Sequence, residues 1–292
     1  SQRQGQKWPR LPSKSSSVEP NSCLQNNPEH NENTAETAIS GIAARFRGDL
    51  ASLDKRVLFA LIYAAAGLTA INFLKEPNIL EWLTRGTALA EIGRSAVHSE
   101  HSNLANLAWW VFVSVFFYFV VPAIWVKFVQ KRPLREIGLA LNLEPGFLKL
   151  LAFCLAIMLP VTYLMSLTPG FAAKYPFLKV FDGTPYLSMT LLCWEIIYFA
   201  QFFGLEFFFR GFLVHSLKPT LGAYSILAMT VPYTMIHFQK PMPEAFAAIF
   251  AGLFLGWISY RNGTIWLGLV LHCSVAFSMD IFALYNAGLL SR

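Results

Sequence analysis

Leu187–Val214 reads LSMTLLCWEIIYFAQFFGLEFFFRGFLV. Its apolar length exceeds the roughly 17–25 residues that cross a hydrocarbon core, so it predicts a membrane-spanning helix. Yet it contains Glu195, Glu206 and Arg210. A charge at mid-membrane costs about 2.5–3.5 kcal/mol on insertion scales, so such residues turn to a bundle interior and have work to do there. One span with paired charges therefore predicts neighbouring spans around it.

The rest of the chain supplies them. Of 292 residues, 55% are apolar and 14% charged, against about 25% charged in soluble domains. The mean hydropathy is +0.45. Further apolar runs lie at 56–74, 104–129, 147–168, 220–238, 244–260 and 264–288. Backbone groups find no partner in lipid, so each run reads as a helix. The expected fold is an all-α polytopic transmembrane bundle of seven to eight spans, with a polar intramembrane site in its C-terminal half.

Residues 1–45 read as a disordered polar cytosolic tail rich in Ser, Asn, Gln and Pro, without a signal-peptide core. Residues 46–130 read as N-terminal spans with an interfacial loop at 75–103. Residues 131–292 read as the functional core, entered through a short interfacial helix at 131–145. Lys and Arg gather on one side of the alternating spans, which puts the N-terminus in the cytosol. The expected setting is a multi-pass protein of a bacterial inner membrane. The net charge of +6 sits beside apolar runs, so the partners are membrane lipids and not nucleic acid. The four cysteines form no disulfide or zinc-knuckle pattern.

The middles of the first three spans lack ionisable residues, whereas the later ones hold Glu195, Glu206, Arg210, His237, His272 and Asp280. Glu206 and Arg210 are four apart and share a helix face, so they can pair. Two histidines on separate spans beside that pair point to a common site. For upright helices the three depths differ by about 12 Å, a gap that tilt or a bend at Pro232 has to close. Glu195 stands about 16 Å along the axis from Glu206, and Asp280 is two turns beyond His272. His215 and Glu244 read as solvated interface residues. Ala248, Gly252 and Gly256 form a small-residue packing stripe, and Asn262–Gly263 a tight turn.

The order Glu206-x-x-x-Arg210, Tyr233-x-x-x-His237 and His272-x-x-x-Ala276 resembles the three motifs of the CPBP (Abi) family, the CAAX proteases and bacteriocin-processing enzymes, which includes the type II CAAX prenyl endopeptidases. Arg132–Leu139 is similar to the family's short helix before the core. The resemblance covers about 130–280. It departs at two places: the family's water-activating first Glu is Leu205 here, and its oxyanion-binding Asn is Ala276.

The resemblance implies an intramembrane endopeptidase acting on a hydrophobic or lipidated peptide. Glu206, Arg210, His237 and His272 are then the catalytic residues: Glu206 helped by His237 activates water, His272 binds the oxyanion, Arg210 holds Glu206, and Ser274 is a substitute donor. No cofactor is expected. An alternative makes Glu206, His237 and His272 a three-ligand zinc site, although Arg210 would repel the cation. A catalytically degenerate peptide-binding, scaffold or immunity protein is the rival from another class, and a proton-coupled transporter a weaker one.

Overall fold

The computed structural model describes residues 28–99, 102–141, 143, 146–179 and 188–290, the side chains of 28–38 and 102 excepted. The chain divides into two compact units, Ser1–Leu53 and Asp54–Arg292. The tail expected over 1–45 lies outside the described residues as far as residue 27. From there the first unit is one helix, α1 (Pro28–Ser52), which continues through the stretch read as disordered. Ile39, Ile42 and Phe46 are exposed along it.

In the second unit α2 (Lys55–Leu74) starts at Asp54, whose carboxylate accepts from Arg56 N–H at 2.8 Å. That bond first, and then the Thr220 hydroxyl, hold the Asp54 carboxyl below its usual range. The 75–103 connection folds as two short helices, α3 (Pro77–Thr84) and α4 (Ala90–His98). Then come α5 (Asn103–Val129), α6 (Phe147–Ser166), α7 (Pro169–Lys174) and α8 (Met189–Leu221). The last three are α9 (Tyr224–Met235), α10 (Met242–Asn262) and α11 (Trp266–Asn286). Among the described residues there is no strand, only isolated bridges from Gly138 and Leu139 to Thr264.

Among the described residues six helices are long and apolar enough to cross a membrane: α2, α5, α6, α8, α10 and α11. The chain is an integral membrane protein of the all-α class. The expected span at 220–238 is corrected. α8 runs on to Leu221, and Gly222 at φ +54 breaks it. What remains, α9, has 12 residues, about 18 Å at the helical rise and short of a roughly 30 Å core. Turns over 236–239 follow it.

The expected helix at 131–145 is corrected too. Among the described residues of that stretch only Leu134–Ile137 is helical, as a single 3-10 turn, and Gly138 at φ +102 ends it. Its inner face packs on the protein, while Arg135 and Glu136 are exposed. Ile137 is fully buried, and Ile265 N–H donates to Gly138 O at 3.1 Å.

α8 is the central helix. Its most apolar window is 56% buried against 11% for α6, which is wall. Phe207–Leu213 forms a π-helical stretch within it. Such stretches crowd functional sites because the extra residue per turn re-aims side chains. Phe207, Phe208, Phe209 and Phe212 are all buried, with tilted or edge-on contacts to Tyr63, Tyr118 and Phe119. Close helix approach depends on small residues, as the stripe on α10 predicts. A Cβ on Gly252 would stand 2.8 Å from Thr230 Cγ2, and one on Gly256 2.7 Å from Met229 Cε.

At Gly211 a Cβ would stand 2.5 Å from the backbone oxygen of Ile137, which cannot swing away. Gly211→Ala should cost about 1–3 kcal/mol, seen as a lower thermal midpoint in detergent. Gly170→Ala, with nothing within 4 Å, should leave the midpoint in place.

Candidate active site

Glu206 sits where α8 passes into its π-helical stretch and is fully buried. Its Oε1 takes two partners: Arg210 Nη1 at 3.0 Å and His272 Nδ1 at 2.7 Å. A carboxylate accepts only, so Nδ1 carries the proton and donates it to Glu206. This leaves Nε2 on the far side of the ring, 3.1 Å from the Tyr233 hydroxyl. Phe202 stacks on the imidazole at 11° and fixes its plane. α11 comes this close because residue 268 is glycine: a Cβ there would be 2.2 Å from Glu206 Oε2.

Arg210 is enclosed as completely as Glu206. Its guanidinium lies 3.9 Å from the Tyr233 ring centroid, and Nη2 donates to Ala251 O at 3.4 Å. A planar, weakly hydrated guanidinium suits such a stacked, paired place better than an ammonium. The Arg210 carbonyl accepts from Ser259 Oγ, and Ser259 Oγ lies 3.2 Å from His215 Nε2. His215 is therefore buried, which corrects the expectation of a solvated interface histidine.

His237 is placed differently. Its Nδ1 lies 2.8 Å from the Tyr233 carbonyl, which can only accept, so Nδ1–H donates and Nε2 is left as an acceptor. Its ring meets the Tyr233 ring edge-on at 4.8 Å. The structure thus joins Glu206, Arg210 and His272 directly and brings His237 in through Tyr233. The bend that lets these depths meet is the early end of α9, one turn past Pro232. Among the described residues no three His, Cys, Asp or Glu side chains form a metal-binding group. The zinc alternative on Glu206, His237 and His272 lacks its geometry: Arg210 and His272 hold one oxygen of Glu206, and His237 turns to a backbone carbonyl.

The sequence placed Tyr233 at the head of the second motif, one turn before His237, but gave it no role of its own. A tyrosine in that place has a ring for the guanidinium and a hydroxyl for the imidazole, and its backbone serves the second histidine. Leu205 packs in the apolar core and Ala276 against Trp194 and Tyr198, so neither position adds a polar group. Ser274 Oγ makes no described bond to the network, and its substitute-donor role finds no support in the geometry.

Glu195 and Asp280 lie away from this network, with Trp194 Nε1 donating to Asp280 Oδ2 at 3.1 Å. Glu244 is not freely solvated as expected: it pairs with Lys240 at 3.1 Å and accepts from Tyr175. Burial pulls the Lys240 ammonium below its usual range, with Glu244 acting against it.

A buried acid–guanidinium pair, two half-buried imidazoles and a tyrosine thus come together inside the apolar bundle of an integral membrane protein. Residues 187–278 match the family model described as type II CAAX prenyl endopeptidase Rce1-like. Over that stretch the chain is similar to the CAAX proteases. No curated protein and no solved structure matches the chain.

Removing one partner of a buried pair strands the other charge, at about 3–5 kcal/mol. Arg210→Leu should lose that much on chemical unfolding in micelles. The double variant Glu206→Leu/Arg210→Leu should lose clearly less than Arg210→Leu alone.

Proposed function

We propose that the chain is an intramembrane endopeptidase that hydrolyses a peptide bond in a membrane-associated or lipidated substrate. The Tyr233–His272–Glu206 chain of hydrogen bonds beside His237 carries the reading. It gives each imidazole a fixed tautomer, as catalysis by acid and base requires. Glu206 is fully enclosed, so its work is to orient His272 and balance charge, in place of the direct water activation first expected. His237 Nε2 takes a proton from water, and the hydroxide attacks the peptide carbonyl. The Tyr233 hydroxyl turns its hydrogen from His272 Nε2 toward the developing oxyanion as a hydrogen bond, and turns it back when the tetrahedral intermediate collapses. His237 then returns its proton to the leaving amine as the C–N bond breaks.

A second reading has its own support. Leu205 and Ala276 both face apolar packing, and Glu206 has no exposed surface. A site so lacking in exposed acid favours a protein that holds a hydrophobic peptide without cutting it.

Purified chain in lipid nanodiscs, given prenylated and unmodified peptides with internal fluorophore pairs, distinguishes the two. Wild type should cleave, and His237→Ala should lose about 10²–10⁴-fold, the usual worth of a general base. Glu206→Gln and His272→Ala should lose activity as well. Equal rates in all four proteins would remove the assignment. A co-purifying peptide left intact by wild type would select the binding reading.

A further inference from the structure

Ser259 and His215 form a buried pair that the proposed chemistry does not use. They are 1% and 7% exposed. Ser259 Oγ lies 2.9 Å from the Arg210 carbonyl oxygen and 3.2 Å from His215 Nε2. The carbonyl only accepts, so the single hydroxyl hydrogen goes to it. The hydrogen between Ser259 Oγ and His215 Nε2 then comes from the imidazole, which fixes His215 as the Nε2–H tautomer. A serine beside a histidine suggests a nucleophile and its base. This serine instead has its hydrogen turned to a backbone oxygen and is enclosed.

The carbonyl it serves lies within the π-helical stretch Phe207–Leu213. In an α-helix the amide of Val214 would donate to Arg210 O. Here that amide donates to Phe209 O and Gly211 O and passes Arg210 by. The bulge thus offers the Arg210 carbonyl to α10, where Ser259 meets it. A bulge that slipped by one residue would rotate the guanidinium roughly 100° about the helix axis. That would part it from Glu206 Oε1 and the Tyr233 ring, which stand 3.0 Å and 3.9 Å away. The contact of α8 with α10 does not depend on the serine alone, since Lys218 Nζ donates to the neighbouring Tyr260 O at 2.7 Å.

We propose that Ser259 is a positioning residue for the site, pinning the bulge through Arg210 O, and that His215 aims its hydroxyl. By donating to the serine oxygen, His215 leaves the hydroxyl hydrogen only the carbonyl to meet. Both residues act through Arg210, and neither touches the peptide to be cut.

The full chain in lipid nanodiscs, with histidine labelled by heavy nitrogen, gives a magnetic-resonance readout free of proteolysis. His272 Nδ1 donates to Glu206 Oε1 across 2.7 Å. The hydrogen of such a short, charge-assisted bond should resonate far downfield and vanish in His272→Ala. Ser259→Ala and His215→Phe should shift or broaden it. His215→Gln, whose amide nitrogen can stand where Nε2 stood, should leave it in place. Lys218→Met cuts the neighbouring tie alone, so it should lower the thermal midpoint and leave the signal unmoved. A signal indifferent to Ser259→Ala would overturn the proposal, as would one moved as far by Lys218→Met, or moved equally by His215→Phe and His215→Gln. Turnover adds an arm that rests on the proteolytic reading. Ser259→Ala should lower kcat about 10–100-fold with KM unchanged, and an unchanged kcat would overturn the positioning role. If wild type cleaves nothing while the signal responds as expected, the proteolytic reading falls and the role of Ser259 stands.

Discussion

The Glu206–Arg210 ion pair is the constraint around which this bundle is arranged. Both side chains are wholly enclosed among phenylalanines. Each charge alone would carry a desolvation penalty of several kcal/mol. The two must therefore stay together, and every remaining polar atom must be served from neighbouring helices. Ala251 O on α10, the Tyr233 ring on α9 and His272 on α11 serve part of this need, while Glu206 Oε2 and Arg210 Nε keep no hydrogen-bond partner. A requirement of electrostatics on one helix thus fixes the rotation of three others.

Meeting it takes close approach. Gly268 lets α11 reach the carboxylate, Gly252 leaves room beside Thr230 and Tyr233, and Gly211 admits the turn at Ile137. The same approach fixes His272 in one tautomer with its plane held by Phe202. Chemistry and packing are served by the same contacts, so the site's residues are hard to change singly. Tyr233 is the clearest case, since ring, hydroxyl and backbone carbonyl each bind a different member of the network.

The second carboxyl pair follows a different logic. Glu195 and Asp280 belong to the same two helices as Glu206 and His272, nearer the other helix ends. Here Trp194 Nε1 donates to Asp280 where a guanidinium meets Glu206.

Composition and run length sufficed for the membrane class. Charge at mid-span also announced that Glu206, Arg210, His237 and His272 face inward, because lipid tolerates no other placement. The spacing of four between Glu206 and Arg210 made their pairing legible on one helix. What the chain could not reveal was distance between helices. The role of Tyr233, the detour of His237 to a backbone carbonyl, the burial of His215 and the shortness of α9 are set by crossing angles and by the glycines that permit contact. Local sequence decides which residues must avoid lipid. Only the assembled bundle decides which of them meet, because hydrogen bonds act over about 3 Å and no periodicity in a single helix encodes its neighbour's rotation.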